Sequence, residues 1–552
     1  MASQIVTADD KSLDSLPPKY PSKAADVAVD PAYASDVDEA DASNPFRDPK
    51  VAEFYRDLYE KVQYECRHEF DPELEWTEKE ERKIVRKLDW HVTTWACIMF
   101  FALQVDRSNM SQAVSDNMLD QLGLTTNEYN YGHTIFLVSF LLAELPSQLV
   151  SKKLGPDRWI PMQMVLWSIV AASQAALNGK SSFYATRALI GVLEGGFIPD
   201  LVLWLSYFYT SSELPLRLSF FWTSLDVTSI VTALMAYGLL QMNGIHGLAG
   251  WRWLFLIEGL ITLAVGVASF FLMPASAVST KTWFRPNGWF NDREVGIVVN
   301  RVLRDDPSKG DMHNRMAITP SRLWRALCDY DLWPIYIIGL VVFQPFSPPS
   351  TYLTLSLRNL GFGTLNTNLL TIPSTAASIV TLIGLTWLSE RVNERSFIAM
   401  LQNIWALPCL LVLRFWSGTM ENQWGTYAVI SVLLSYPYCH AIVVAWASRN
   451  SGSVRTRSVS AACYNMMVQV GNVCSANIYR SSDAPVYHRG NSILIGLNIL
   501  AILLYPATKA YYMWRNKKRE EAWDAMTPEQ KKDYIENTKD QGNKRLDFRF
   551  SQ

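Results

Sequence analysis

Runs of about 20 apolar residues recur a dozen times between residues 90 and 514, and nothing else in the chain constrains its fold as tightly. A helix of that length crosses roughly 30 Å of hydrocarbon. With no water there to satisfy backbone N–H and C=O groups, such runs must be helices. They lie near 90–112, 129–150, 158–178, 183–209, 215–240 and 251–273, then near 331–356, 366–388, 395–414, 424–447, 456–479 and 491–514. Two sets of six flank a polar stretch, so the expected architecture is an all-α integral membrane protein of two six-helix bundles. The runs broken by "QPFSPPS" and "TIPS" are expected to be discontinuous or kinked and to line a cavity.

Only 18% of residues are charged, against roughly a quarter in soluble domains, and they gather at the ends of the chain. We divide it into an N-terminal tail (1–87), partly disordered, a first bundle (88–273), a central loop (274–330), a second bundle (331–515) and a solvated C-terminal tail (516–552). Within the first tail, "DPKVAEFYRDLYEKVQYECRHEF" reads as an amphipathic helix near the bilayer. A net charge of −2 gives no field for nucleic acid. The seven cysteines are scattered and show no disulfide or metal-knuckle spacing. No basic stretch followed by an apolar core marks a cleavable signal, so the first span is expected to direct insertion.

Basic residues set the orientation. "SKKLGPDR", "SERVNER" and "SRNSGSVRTR" fall on the side of the two tails, whereas "GIHGLAG" and "SGTMENQ" on the other side have no Lys or Arg. Arg480 and Arg489 are exceptions that do not reverse the bias. Both tails are therefore expected in the cytoplasm, with the plasma membrane as location.

Charges inside the spans are the candidate functional residues, because an ionisable group there is costly and usually marks a pathway. In "QVDRSNMSQA", Asp106 and Arg107 are neighbours about 100° apart on a helix, so each needs a partner elsewhere. In "RALIGVLEGGFIPD", Arg187 and Glu194 share one face two turns apart, with Gly191 between them. Gly191 and Gly195 form a small-xxx-small pair suited to close helix packing. The two charges with a glycine gap suit a polar cavity; a structural salt bridge is the plainer alternative. Asp200 points elsewhere and is compatible with packing or pathway. His440 in the tenth span reads as a packing residue with a possible substrate contact, and Asn465 in the eleventh as substrate ligand or helix glue. No metal spacing and no catalytic nucleophile motif are visible; "LNGKSS" lacks the first glycine of a phosphate loop and joins two spans.

"SQLVSKKLGPDRW" and "TWLSERVNERSF" occupy equivalent places in the two halves, and the second resembles the loop signature of the major facilitator superfamily. The resemblance implies gating roles for Lys152, Lys153, Arg158, Glu390, Arg391 and Arg395. Glu390 stands where that signature carries Asp, and Lys152 and Lys153 replace the acid of the first copy. "DRSN" with "R-x6-E-G-G-F-x-P" is similar to the anion:cation symporter branch. "SYFYTSSELPLRLSFFW", "GWRWLFLIEG" and "VAWASRNSGSVRTRSVSAACYN" resemble its fungal allantoate-permease-like members, with sulfonate permeases among the nearer ones. This implies proton coupling through Asp106 and Glu194, with Arg107 holding a small organic anion and Arg187 linking the two. The seventh span lacks the Arg that some relatives carry there. The implied function is proton-coupled import of a carboxylate, ureide, vitamin acid or sulfonate by alternating access, by a monomer in the lipid bilayer, with the proton as coupling ion and no other cofactor. An exporter of a fungal metabolite on the same fold is the main alternative, and a non-transporting membrane sensor a more distant one.

Overall fold

The computed structural model describes residues 44–47, 49–61, 63–210, 213–310, 324, 327–392, 394–451, 454–527, 529–531, 534, 538 and 542–551. Within them the chain is helical throughout its apolar part. The first six spans are Thr94–Val114, Thr126–Leu154, Pro156–Ser173, Lys180–Glu194 with Phe197–Leu205, Leu214–Leu239 and Gly250–Leu272. The second six are Trp333–Val341 continued by Ser347–Thr351 and Leu353–Asn359, then Thr364–Leu369 with Ile372–Val392, Ser396–Phe415, Gln423–Leu434 with His440–Asn450, Val454–Ser475 and His488–Asp524.

The packing pairs repeat between halves. The first span lies against the fifth, the second against the fourth and the third against the sixth; the seventh packs on the eleventh and the ninth on the twelfth. Glycine makes the second–fourth contact close. A Cβ on Gly191 would stand 2.5 Å from the Phe136 carbonyl oxygen, and one on Gly195 2.8 Å from the Ala143 Cβ. The small-xxx-small reading of this pair therefore describes its surroundings, whereas the gap expected at Gly191 is filled by the second span.

Four spans are interrupted, each at residues that cannot continue a helix. The fourth breaks at Gly196, whose φ of +86° suits glycine, two residues before Ile198-Pro199. The seventh breaks around Pro345, Pro348 and Pro349 and the eighth before Pro373, as the sequence suggests. The tenth breaks at Ser435–Cys439, around Pro437, where the apolar run 424–447 predicts a continuous span.

At the end bearing both tails, a layer of short elements covers the first bundle. The helix Pro49–Lys61, with the segment that follows it, docks on the central-loop helix Asp292–Asp305 and its flank. Tyr59 Oη donates to the Pro307 carbonyl at 2.9 Å, Asn300 Nδ2 to the Glu69 carbonyl at 2.7 Å and Arg304 Nη2 to the Leu74 carbonyl at 2.6 Å. Arg301 pairs with Glu213 at 3.0 Å. Most of residues 1–45, read as disordered, lie outside the described residues.

The twelfth helix runs 37 residues, well beyond the roughly 20 that hydrocarbon requires, so its last turns project on the tail side. The segment after it is not simply solvated. Phe550 is buried and stacks on Tyr512 with ring centroids 5.0 Å apart, and Ser551 O accepts from Trp446 Nε1 at 2.8 Å. Lys544 reaches Asp329 at 2.6 Å and Asp331 at 3.1 Å, and Arg515 Nη2 donates to Asp331 Oδ2 at 3.1 Å. Burial raises the Asp331 carboxyl, but hydrogen bonds from Arg515, Tyr511 and Lys544 outweigh it and hold the group below its ordinary value.

Among the described residues, the hydrogen bonds joining the two halves lie at the opposite end. Asn130 Nδ2 donates to the Tyr479 carbonyl at 2.7 Å, Asn368 Nδ2 to Ser115 Oγ at 3.1 Å and Asn477 Nδ2 to Thr134 Oγ1 at 2.9 Å. Tyr352 Oη also donates to Asn130 Oδ1. The molecule is thus fastened shut on the side away from its tails.

Candidate functional site

The charged residues of the first and fourth spans meet near the middle of the first bundle. Asp106 and Arg107 diverge as adjacent helical residues must. Asp106 turns into the bundle, almost fully buried, and its Oδ2 accepts from Trp167 Nε1 of the third span at 3.0 Å. Arg107 turns toward the fourth span, where its Nε donates to Glu194 Oε2 at 2.7 Å. The Glu194 side chain is inaccessible, whereas that of Arg107 keeps 24% of its exposure, so the guanidinium is the accessible end of the pair.

Arg187 does not pair directly with Glu194, two turns along its own helix. Its guanidinium carbon stands 4.6 Å from the centroid of Phe136, and that of Arg107 stands 5.8 Å from the same ring and 4.9 Å from Phe140. Aromatic faces hold both cations in place without neutralising them. Arg187, 4% exposed, is the inner of the two.

The sequence reading missed one member. Glu258, in "FLIEGL" of the sixth span, is fully buried, and neither of its carboxylate oxygens has a hydrogen-bond partner. It lies within Coulomb reach of Asp106, which in turn feels Glu194. Three carboxylates and two guanidiniums therefore share this region. Four more of their atoms are buried without partners: Asp106 Oδ1, Arg107 Nη2, Arg187 Nη1 and Glu194 Oε1. So many unsatisfied ionisable atoms in one bundle are costly unless a proton or ligand completes them. The signal for Glu258 was available, since an acid in an apolar run is as anomalous as Glu194.

The other expected residues lie apart from this cluster. Asp200 is buried in the second segment of the fourth span, toward the tail side and beside Ser151 and Glu144. His440 begins the second segment of the tenth span, stacked on Tyr438 at 5.6 Å and flanked by Tyr464 at 5.5 Å and Phe343 at 5.7 Å. Its Nδ1 and the Tyr464 hydroxyl are buried without partners, so this aromatic group has hydrogen-bonding capacity to spare. Asn465, on the eleventh span, is exposed.

Of the loop residues, Lys153 and Arg158 are exposed, the latter 4.0 Å from its neighbour Asp157. Arg391 lies over Trp387 at 5.1 Å, and Arg395 precedes the ninth span. The side chains of Lys152 and Glu390 lie outside the described residues. The firm contact of the second loop is a pair that the sequence did not single out, Glu394 with Lys509 of the twelfth span at 2.6 Å. The first bundle has a comparable tie, in which Asp89 accepts from Arg217 Nε and Nη2, both at 2.9 Å.

Comparison with known proteins identifies the family. Residues 96–476 match the family model of the Major Facilitator Superfamily. The chain belongs to that superfamily. It is 44% identical over 528 residues to an uncharacterized transporter of Saccharomyces cerevisiae, YIL166C, covering 95% of this chain and 97% of that one. It is 27% identical over 415 residues to the major facilitator-type transporter hxnP of Emericella nidulans, covering 74% and 81%. Among solved structures, the xylose transporter XylE from E. coli superposes with a TM-score of 0.57 at 13% identity over 77% of this chain and 97% of that one. A bacterial homolog of the human lysosomal transporter Spinster gives 0.56, also at 13%, over 76% and 96%. This superfamily member is therefore a multi-pass membrane transporter and not an enzyme, and the two-bundle helical fold expected from the apolar runs is the one it has.

Proposed function

We propose that the transporter imports a small organic anion together with a proton, across the plasma membrane and toward the side bearing its tails, which is the cytoplasm. The observation that carries this reading is the Arg107–Glu194 pair: an accessible guanidinium bonded at 2.7 Å to an inaccessible carboxylate that has one oxygen left over. Arginine stays protonated and presents a planar fork matched to carboxylate or sulfonate. An anion arriving at Arg107 competes with Glu194 for that fork. Once displaced, the Glu194 carboxylate has no comparable partner in a dry site, and taking a proton removes the cost of an isolated charge there. One anion and one proton enter together, so the loaded site carries the same net charge as the empty one. Neutral loading lets the bundles rock past one another without moving an uncompensated charge through hydrocarbon.

Asp106 and Glu258 extend the same logic inward as further carboxyls able to hold the proton, and Arg187, which shares the Phe136 ring with Arg107, links the acids to the substrate-holding guanidinium. His440 and Asn465, on the opposite bundle, are in this reading the contacts for the uncharged part of the substrate. The loops containing Lys152, Lys153, Arg158, Glu390, Arg391 and Arg395 act as latches on the cytoplasmic side. The resemblance to the allantoate-permease-like symporters supports carboxylates, ureides, vitamin acids and sulfonates as the substrate class and a monomer as the working unit.

The test is uptake of a panel of labelled carboxylates and sulfonates by cells expressing wild type or Glu194→Gln, at external pH 5 and pH 7.5. Uptake that falls as pH rises in wild type, and loses that dependence in the variant, supports the reading. Uptake indifferent to pH in both overturns the proton mechanism. Cells that retain more of an anion when the protein is missing would make the transporter an exporter.

A further inference from the structure

Ahead of the first span the chain carries a basic stripe that transport chemistry does not use. Lys79, Arg82, Lys83, Arg86, Lys87, Trp90 and His91 follow one another at steps of three or four or as neighbours, and so occupy one side of the helix Glu78–Leu88 and of the turn Asp89–Thr93 that carries it into the first span. The same seven residues line one concave surface of about 500 Å³. Two carboxylates offset part of the charge. Glu78 bonds Arg82 at 2.7 Å, and Glu294 bonds Lys87 at 2.7 Å and Lys83 at 3.4 Å. Five cations against two acids leave a surplus of three positive charges, and neither Lys79 nor Arg86 has an ion pair among the described residues.

The surroundings are those of a membrane boundary. Trp90 is 73% exposed, immediately before the first span, and Trp283, shortly after the sixth, is 89% exposed. Between them Trp289 packs on the His91 ring at 4.8 Å and takes the Arg285 guanidinium over its face at 4.9 Å. Indole rings left open at this level are characteristic of the headgroup layer, where a ring can be apolar on one side and wet on the other. A groove with cations along its length and tryptophan at its membrane end fits a ligand with phosphate in water and acyl chains in the bilayer.

We propose that this stripe seats the phosphate-bearing headgroup of an anionic phospholipid in the leaflet facing the tails. Lys79 and Arg86 are its unpaired anchors, Lys83 and Lys87 are shared with Glu294, and Trp90 stands beside the acyl chains. Anionic lipids are concentrated in the cytoplasmic leaflet, and clustered basic residues just outside a span draw them by charge. The natural occupancy of the seat thus rests on the cytoplasmic placement of the tails proposed above. The seat also joins the first span to the central loop through Lys87 and Glu294, so an occupied groove braces two of the elements that frame the tail side.

The test uses the full chain in neutral detergent, where orientation in a membrane plays no part. Binding of dioctanoyl phosphatidylinositol bisphosphate is measured by thermophoresis beside dioctanoyl phosphatidylcholine, inositol trisphosphate and inorganic phosphate. The variant Lys79→Gln/Arg86→Gln breaks no described ion pair and leaves the transport site untouched. At about one kcal/mol per basic residue, removing two cations is expected to weaken the anionic lipid roughly 30-fold without changing the lipid-free Tm. Trp90→Ala is expected to weaken the lipid while leaving inositol trisphosphate unaffected. Equal affinity for inositol trisphosphate and the lipid would overturn the lipid seat in favour of a soluble phosphate site. Equal affinity for phosphatidylcholine, or no loss in the double variant, would overturn the site altogether. Orientation is read separately, from protease access to the C-terminal segment in intact cells, so a failure of one reading is not mistaken for failure of the other.

Discussion

Replacing Arg107 with Met strips Glu194 of its 2.7 Å partner while keeping most of the apolar stem. Breaking a buried pair from one side costs about 3–5 kcal/mol when the remaining charge has nowhere to go. Glu194 has an escape, because it can bind a proton. The cost of protonating it is bounded by the gap between ambient pH and the ordinary glutamate value of about 4.3, at about 1.36 kcal/mol per pH unit. That bound is about 3.7 kcal/mol at pH 7 and about 1 kcal/mol at pH 5. Arg107→Met should therefore be strongly destabilised at neutral pH and nearly normal at pH 5. Adding Glu194→Gln should restore most of the loss at pH 7, because a neutral amide leaves no stranded charge. The assay is thermal unfolding of the purified protein in detergent, followed by reaction of a thiol dye with the buried Cys409, Cys439 and Cys463. A deficit that is the same at both pH values, or one that Glu194→Gln does not relieve, would refute the reasoning.

Three further outcomes are expected. Gly191→Ala places a methyl group 2.5 Å from the Phe136 carbonyl oxygen; it should cost about 1–3 kcal/mol and lower the Tm, and a neutral Ala would mean the helices are not in that contact. Asp331→Asn should undock the C-terminal segment, seen as faster proteolysis beyond Asp524. Because folding holds the Asp331 carboxyl below its ordinary value of 3.8, its contribution is complete above that pH and declines only in stronger acid, so wild-type docking should be flat from pH 5 to 8. Tyr352→Phe removes the hydroxyl that bonds Asn130 across the two halves. It should raise modification of a cysteine introduced at Thr134 from the side away from the tails, and unchanged labelling would show that this bond does not hold that side closed.

Much of the fold was legible because hydrocarbon allows so few solutions. Twelve apolar runs dictate twelve spans, and Pro345 and Pro373 mark breaks that local chemistry alone explains. The tenth-span break has the same local cause at Pro437, but it lies inside a long apolar run whose length alone predicts a continuous span. The core of the site was legible for a related reason: Asp106, Arg107, Arg187 and Glu194 are conspicuous against their surroundings. Which of them pair was not, since Arg107 meets Glu194 across 87 residues of chain. Glu258 is as legible as Glu194, being the one acid in the apolar helix Gly250–Leu272, although nothing in the sequence says that it lies beside Asp106. The Asp331 cluster could not be read at all, because its partners Arg515 and Lys544 are some 180 to 210 residues away and become neighbours only once the C-terminal segment folds back. Gly191 shows the limit of spacing arguments: a glycine between two charges is compatible with a cavity or with close packing, and only the position of the second span decides.

The measurement that bears most directly on the account is substrate-driven proton movement in proteoliposomes. Purified protein is reconstituted around a pH-sensitive dye, an inward gradient of an anion identified in the uptake panel is applied, and anion entry is followed in parallel. The account predicts that wild type acidifies the lumen in step with anion entry, whereas Glu194→Gln exchanges anion for anion without moving protons. Anion entry without acidification in wild type, or the same acidification in Glu194→Gln, would contradict it.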